Sequence, residues 1–309
     1  MIKNQTVSVI VPTLATTERA KCLSAAIDSI LSQQEVKAVP IVVANGSLYN
    51  PDVLRWLKRR NDIRYVFQES ASMPLAIMTG RNMVDTPFFS ELDDDDLLLP
   101  QALSIRMKGM HLDPLTDAVV TNGILSNQGQ EEIHIDDIEG HQRDPLRKLL
   151  FKTWLLPGAA LFRTETINQE ILKGMPEYLE WTYLAIRLSL EKKILFLNDS
   201  TVIHYLDHDF TIDKSNEAVL GRPEALRRIL TLNLPDYFRK AFKEKLAYAD
   251  HHASKLYLKN RQYALAWSCH VKVIKNMPWK QSFGIYIRVL QGLLASNYQR
   301  LFRPRYPSA

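Results

Sequence analysis

The stretch Val7-Ser8-Val9-Ile10-Val11-Pro12-Thr13 is a short β-branched run that ends in proline. It reads as a buried strand, stopped where Pro12 has no N–H to offer a neighbour. Outward from it, residues 22–33 carry Leu23, Ala26, Ile27, Ile30 and Leu31, the spacing of one helix face. Residues 39–44 form a second apolar strand, closed by the turn residues Asn45-Gly46-Ser47. A helix over 51–60 and a third strand over 63–67 follow. This alternation predicts an α/β fold, a parallel sheet with helices on its faces. Ligands of such sheets sit beyond the carboxyl ends of the strands, so the loops after Val11 and Val43 are where chemistry is expected.

Further along, the pattern predicts a helix over 73–83 and a strand over 88–92 that leads into Asp93-Asp94-Asp95-Asp96. A helix opened by Pro100 runs over 100–110, and a strand over 118–122. Residues 126–142 are polar and acidic and read as a mobile loop. Residues 154–163 hold apolar side chains around Pro157-Gly158. A helix over 180–190 and strands over 194–197 and 201–205 complete this part. After about Asp213 the pattern turns helical, which places a boundary near Ser215. The expected division is a domain of residues 1–215 and a helical C-terminal region of residues 216–309.

Within that region, 252–278 resembles one tetratricopeptide-like helix pair, with Tyr263-Ala264-Leu265-Ala266 at the small-residue position. Such arrays need about three repeats, so helices packed on the first domain are the other reading. Residues 283–305 set Ile285, Ile287, Val289, Leu290, Leu293 and Leu294 against Arg288, Arg300, Arg303 and Arg305. This is an amphipathic helix, suited to a membrane surface or to packing on the protein.

The 309 residues, 46% hydrophobic and 24% charged, suffice for a sizeable globular core. The net charge of +5 fits phosphate-bearing ligands, an anionic membrane surface, or no partner at all. The basic residues are scattered and no nucleic-acid motif occurs, which argues against a nucleic-acid partner. Cys22 and Cys269 form no metal or redox motif and suit a reducing compartment. The N-terminal residues show no signal-peptide pattern, and no run of about eighteen apolar residues exists. The expectation is a cytoplasmic protein, with peripheral contact at the inner face of the membrane through the basic C-terminal helix.

The run of four aspartates is the strongest chemical signal. Mutual repulsion makes it costly as a decorative cluster, and it follows an apolar strand, at the ligand edge of the sheet. Carboxylates there are hard oxygen ligands suited to Mg²⁺ or Mn²⁺. Taken alone, the run also reads as a solvated loop or a helix N-terminus.

The order and spacing of residues 7–13, of Ile27-Asp28-Ser29-Ile30-Leu31-Ser32-Gln33, of Val42-Val43-Ala44-Asn45-Gly46-Ser47, of Gly80-Arg81-Asn82, and of Leu92 to Asp96 with Pro100 resemble the family 2 glycosyltransferases. The resemblance is good over 7–110 and looser to about 213. It implies an A-type nucleotide-diphospho-sugar fold, inversion at the anomeric carbon, a divalent cation (Mn²⁺ or Mg²⁺), a nucleotide-diphospho-sugar donor with UDP-sugars favoured, and a sugar-containing acceptor. On this likeness Asp95 is the metal ligand, with Asp96 in support. Asp93 and Asp94 are on the nucleotide-sugar side, where Pro12 and Thr13 match the loop under the base and Arg81 matches a residue facing the nucleotide pocket.

The chain departs from the family pattern in three places. Asn45 stands where the family usually has an acid near the base; its amide both donates and accepts hydrogen bonds. At the expected catalytic base, Glu180 is the acid that fits the Tyr178-to-Arg187 stretch, in a spacing off by one. His204 and His208 are candidates for a second metal or phosphate contact, but Leu206 replaces the arginine usual between them. Trp154, Gly158 and Trp181 match the acceptor side, where aromatic faces would stack on sugar; a core tryptophan is the equal alternative for Trp154. A non-catalytic nucleotide-sugar-binding protein of the same fold is the alternative function.

Overall fold

The computed structural model describes residues 5–206, 215–276 and 287. The chain divides into two compact units between Thr211 and Ile212. In the first, β1 (Thr6–Thr13), α1 (Ala20–Leu31), β2 (Lys37–Asn45), α2 (Pro51–Arg59), β3 (Arg64–Gln68), α3 (Met73–Asn82) and β4 (Phe88–Glu91) alternate. There follow β5 (Leu97–Leu98), α4 (Ala102–Leu112), β6 (Ala118–Asn127), β7 (Gln130–Ile133), α5 (Ile138–Arg143) and α6 (Pro145–Lys148). The unit closes with β8 (Ala160–Arg163), α7 (Gln169–Leu172), α8 (Glu180–Glu191) and β9 (Ile194–Tyr205).

Among the described residues all nine strands belong to one sheet, ordered β3-β2-β1-β4-β8-β6-β9-β5, with β7 on β6. The pairs β2–β3, β1–β2, β1–β4 and β6–β9 are parallel, and β8 runs against both β4 and β6. It follows that β3, β2, β1, β4, β6 and β9 all point one way, while β5, β7 and β8 oppose them. The sheet is mostly parallel, as the sequence pattern predicts.

The continuous apolar run of β1 is explained by burial on both faces. Val7, Val9 and Val11 share a core with Leu23, Ala26, Ile27 and Ile30 of α1. Ile10 points the other way, where α3 presents Gly80; a Cβ on Gly80 would lie 2.4 Å from Ile10 Cγ2. Each fully buried Val or Ile contributes about 1.5–3 kcal/mol. Helix starts follow side-chain caps: Asn50 accepts from Asp52 N–H, with Pro51 opening α2, and Ser72 accepts from Leu75 N–H at α3.

Two expectations change. The polar stretch 126–142 is no unstructured loop. Asn127 pairs with Gln130 across a two-residue turn, and both turn residues, Gln128 and Gly129, have positive φ, the mark of a tight hairpin turn. The strands expected at 194–197 and 201–205 are one strand, β9, with register shifts against β6 where Asn198 and Asp199 interrupt the apolar pattern.

The second unit holds α9 (Asn216–Leu230), α10 (Asp236–Lys259) and α11 (Tyr263–Asn276). Ser215 caps α9 by accepting from Ala218 N–H. Phe238 and Phe242 stack with ring centres 4.5 Å apart. Arg227 reaches Asp250 at 2.5 Å, tying α9 to α10. Ser254 donates to the Ala266 carbonyl at 2.9 Å, tying α10 to α11. The stretch read as a tetratricopeptide-like pair is therefore a helical hairpin. The basic and apolar stretch 283–305 lies outside the described residues, apart from Ile287. Among the described residues no helix is long and apolar enough to cross a membrane.

Candidate functional site

From β1 the chain builds β2 and β3 on one side, then returns to place β4 on the other. The point between β1 and β4 is thus the switch in strand order, where open α/β sheets form their ligand crevice. Parallel pairing runs from Val7 opposite Phe88 to Ile10 opposite Glu91. The same offset of 81 carries on past β4 and sets Thr13 beside Asp94. The Thr13 hydroxyl donates to Asp94 Oδ2 at 2.5 Å and accepts the Ala15 N–H at 2.9 Å. Asp94 Oδ1 takes the Arg19 guanidinium, from the start of α1.

The aspartates themselves form a turn, closed by Asp96 N–H donating to the Asp93 carbonyl at 3.2 Å. Beyond it, β5 runs antiparallel to β9 with Leu97 opposite Ile203, which brings Asp96 level with His204. His204 Nδ1 lies 2.6 Å from Asp96 Oδ2, and Tyr205 N–H donates to Asp96 Oδ1 at 3.2 Å. Asp94 and Asp96 are thus buried and bound into the scaffold on opposite sides of the turn. Asp95 is partly exposed, with Arg19 3.7 Å from its Oδ2.

Burial and crowding set the electrostatics. Glu91 is 4% exposed at the end of β4, with the Asp93 carboxyl and the Gly158 backbone against it. Burial, then the neighbouring Asp93 and Asp96, pushes the Glu91 carboxyl well above its usual range. Burial, then Asp96 and Asp95, does the same to Asp93. Burial lifts Asp94 to about 6 against the opposing pull of Arg19. Burial draws the His204 imidazole down, but Asp96, Asp93 and Asp95 outweigh it and raise it to about 9. Behind the turn Arg106 of α4 is wholly buried, and burial lowers it to about 9. It donates to Ser90 of β4, Thr121 of β6, Thr201 of β9 and the Gly158 carbonyl, locking together the strands that carry the turn.

A hard divalent cation fits this donor set. The crowding of Glu91 and Asp93 against Asp95 and Asp96 marks an excess of acid that a cation would offset, and Asp95 offers a partly exposed carboxylate. Among the described residues no three His, Cys, Asp or Glu side chains already converge as a ligand cage. Mg²⁺ commonly takes only one or two carboxylates and completes its shell with water and phosphate. Asp96 accepts from Tyr205 N–H and lies against His204 Nδ1; a carboxylate on one ring nitrogen is the arrangement that orients the other, Nε2, toward a cation. His208 lies outside the described residues. Beside the turn, Thr16, Thr17 and Glu18 face Leu48, Tyr49, Asn50 and Pro51 across a cleft of about 470 Å³, between the loops after β1 and β2.

No family model and no curated protein sequence matches the chain. Solved structures do. The chain has the fold of S. aureus TarS. It superposes on TarS 1-349 in complex with UDP-GlcNAc with a TM-score of 0.58, at 13% identity, over 92% of this chain and 92% of that one. Against TarS 1-349 in complex with UDP the TM-score is 0.52, at 12% identity, over 99% and 94%. A longer TarS chain matches with a TM-score of 0.55, over 88% of this chain and 54% of that one. At such identity the likeness to TarS establishes the A-type α/β fold, and residue roles rest on geometry.

Geometry revises some expected roles within the TarS-like fold. Arg81 does not face a nucleotide pocket. It is buried, donates to the Ile167 and Thr164 carbonyls, and lies 4.9 Å over the Phe89 ring; it staples α3 to the segment before α7. Trp154 is no sugar platform: it is 1% exposed, donates to the Pro145 carbonyl at 2.9 Å, and meets Phe196 edge-on. Gly158 has φ +71°, and a Cβ there would press on Leu92 and Val202. It shapes the back of the acidic turn rather than touching an acceptor. Pro12 is buried in β1 opposite Val43. Asn45 ties β2 to β1 by donating to the Thr13 carbonyl at 3.1 Å.

Glu180 stands at the start of α8, and its Oε1 accepts the Tyr178 N–H at 2.8 Å, beside a left-handed Tyr178. Trp181 next to it is half-buried. Glu177 takes the hydroxyl of Ser72, which brings this segment to the start of α3, at the ligand edge of the sheet. The sequence alone does not single out Arg19 or Glu91. Arg19 is one basic residue in a threonine-rich loop, and its partner is 75 positions away. Glu91 has one legible signal, an acid ending an otherwise apolar strand.

Proposed function

We propose that the chain is a metal-dependent, inverting glycosyltransferase. It moves a sugar from a nucleotide-diphospho-sugar, UDP-sugars favoured, to a hydroxyl on a glycan, lipid-linked glycan or protein. The observation that supports this is the position of the acidic turn. Glu91 and the four aspartates gather at the strand-order switch, beside Thr13, and the loop after Thr13 also lines a cleft against the loop after β2. The shared fold adds support, since TarS was solved with UDP-GlcNAc and with UDP.

In this reading Asp95, aided by Asp93, would hold Mn²⁺ or Mg²⁺. Asp94 and Asp96 hold the turn that presents them. The bound cation would neutralise charge on the departing diphosphate. Glu180 accepts the proton of the acceptor hydroxyl as that oxygen attacks the anomeric carbon from the face opposite the phosphate. The Tyr178 N–H fixes one oxygen of that carboxylate, and Trp181 is the aromatic contact nearest to it in sequence. A second reading, a nucleotide-sugar-binding protein without transfer, draws on the same bond, since a carboxylate that closes its own helix start is also a structural cap.

A thermal-shift and hydrolysis screen of nucleotide-sugars with Mn²⁺ and Mg²⁺ separates them. The expected result is cation-dependent stabilisation by one diphosphate nucleotide and its loss in Asp95→Ala. Glu180→Gln should keep that stabilisation and abolish transfer. Transfer at the wild-type rate by Glu180→Gln would reject Glu180 as the base. Stabilisation without hydrolysis or transfer with any donor would favour the binding protein.

A further inference from the structure

We propose that Arg19 makes the binding of the divalent cation and of the donor's diphosphate mutually dependent, an inference that rests on the glycosyltransferase reading and adds a positioning residue to it. The Arg19 guanidinium is bonded to Asp94 and stands 3.7 Å from Asp95 Oδ2, with its side chain 11% exposed. It is therefore a resident cation facing the carboxylate assigned to the metal. A guanidinium does not shed its proton at any ordinary pH. A divalent ion arriving on Asp95 meets this fixed positive charge at short range and with little solvent between, where like charges repel strongly. The partly exposed Asp95 carboxylate attracts the ion, and Arg19 opposes it.

A diphosphate resolves the conflict. Its several anionic oxygens can bridge a cation and a guanidinium at once, and guanidinium is well matched to phosphate. Each positive group then favours the diphosphate, and the diphosphate screens one from the other. Cation and nucleotide consequently bind weakly apart and well together, and by linkage each strengthens the other by the same factor. The second clamp of the turn, His204 on Asp96, also feels the charge of Asp95, but it is Arg19 that stands in ion-pair contact with Asp95, and the coupling is assigned to it.

The test is a Mn²⁺ titration of the full chain, followed by calorimetry, with and without saturating UDP, and with uridine as the phosphate-free control. In the wild type UDP should tighten Mn²⁺ by about tenfold or more, and uridine should not. In Arg19→Gln, Mn²⁺ alone should bind several-fold more tightly, and the enhancement by UDP should shrink to about threefold or less. Arg19→Lys, which keeps the charge, should keep the enhancement. If Arg19→Gln does not fold, the double variant Arg19→Met with Asp94→Asn removes both charges of the pair and should behave as Arg19→Gln is expected to. An undiminished enhancement in Arg19→Gln, or in the double variant, overturns the inference while leaving the glycosyltransferase reading intact. An equal loss of Mn²⁺ affinity with and without UDP also overturns it, because Arg19 would then only hold Asp94 in place. A wild type that binds neither Mn²⁺ nor UDP overturns the proposed function and this inference with it.

Discussion

The two sides of the acidic turn solve one problem in different ways. On the β1 side Asp94 is held by a threonine hydroxyl and an arginine from a loop. On the β9 side Asp96 is held by a strand N–H and a histidine. Arg19 cannot lose its charge but sits on a long side chain that can swing into water. His204 can lose its charge but is fixed in a strand. The contrast teaches that the first side yields by motion and the second by loss of a proton.

Removing each aspartate should break this contrast most visibly. Asp96→Ala strands a buried strand N–H and the imidazole, and is expected to cost about 3 kcal/mol of unfolding free energy in urea titrations. Asp94→Ala should cost less, about 2 kcal/mol, because Arg19 can reach solvent. Its signature should be faster amide exchange over residues 14–19. Equal costs with no change in exchange would refute the distinction.

Acidity sharpens it next. His204 stands near 9 in the fold against about 6.5 in an unfolded chain. Its raised pKa contributes stability that is complete below about pH 6.5 and is lost as pH rises through 9. With chelator present, unfolding free energy should therefore fall by up to about 3 kcal/mol over that interval. His204→Gln should flatten the fall. The Arg19 side titrates lower: Asp94 is raised to about 6, so its ionisation penalty develops below that and is constant above it. A profile above pH 6.5 that is the same in His204→Gln and wild type would count against this assignment.

The smallest effect concerns the hydroxyl that closes the β1 side. Thr13→Val removes a donor to Asp94 and an acceptor for Ala15 N–H. A cost of about 1–2 kcal/mol is expected from thermal unfolding, with the His204 titration unchanged. A shift in that titration would show the two sides to be coupled.

Legibility in the sequence follows the same division of the sheet. From β1 to β4, strands buried on both faces leave continuous apolar runs, and helices leave a clear face; the expected 88–92 became Phe88–Glu91. On the other half the pattern fails for physical reasons. β5 is two residues long, β7 is an exposed strand of polar residues, and β9 bends through polar Asn198 and Asp199. The aspartate run was legible because repulsion makes such a run expensive without a purpose. Arg81 turns to the core, and of the two readings open for Trp154 the core one holds; spacing does not tell whether a side chain turns toward a crevice or a core. Arg19 was missed because its meaning lies in a partner from a distant strand.

The offset that pairs β1 with β4 has a further consequence. Hydrogen bonds between two neighbouring strands, and not the length of chain joining them, fix where Asp94 stands relative to Thr13. The loops of the excursion beyond α1, at residues 46–50 and 69–72, could lengthen, shorten or be exchanged and the acidic turn would keep its place. Evolution can thus redraw the rim of the cleft, and with it the choice of what enters, while the charged floor stays where the strands put it.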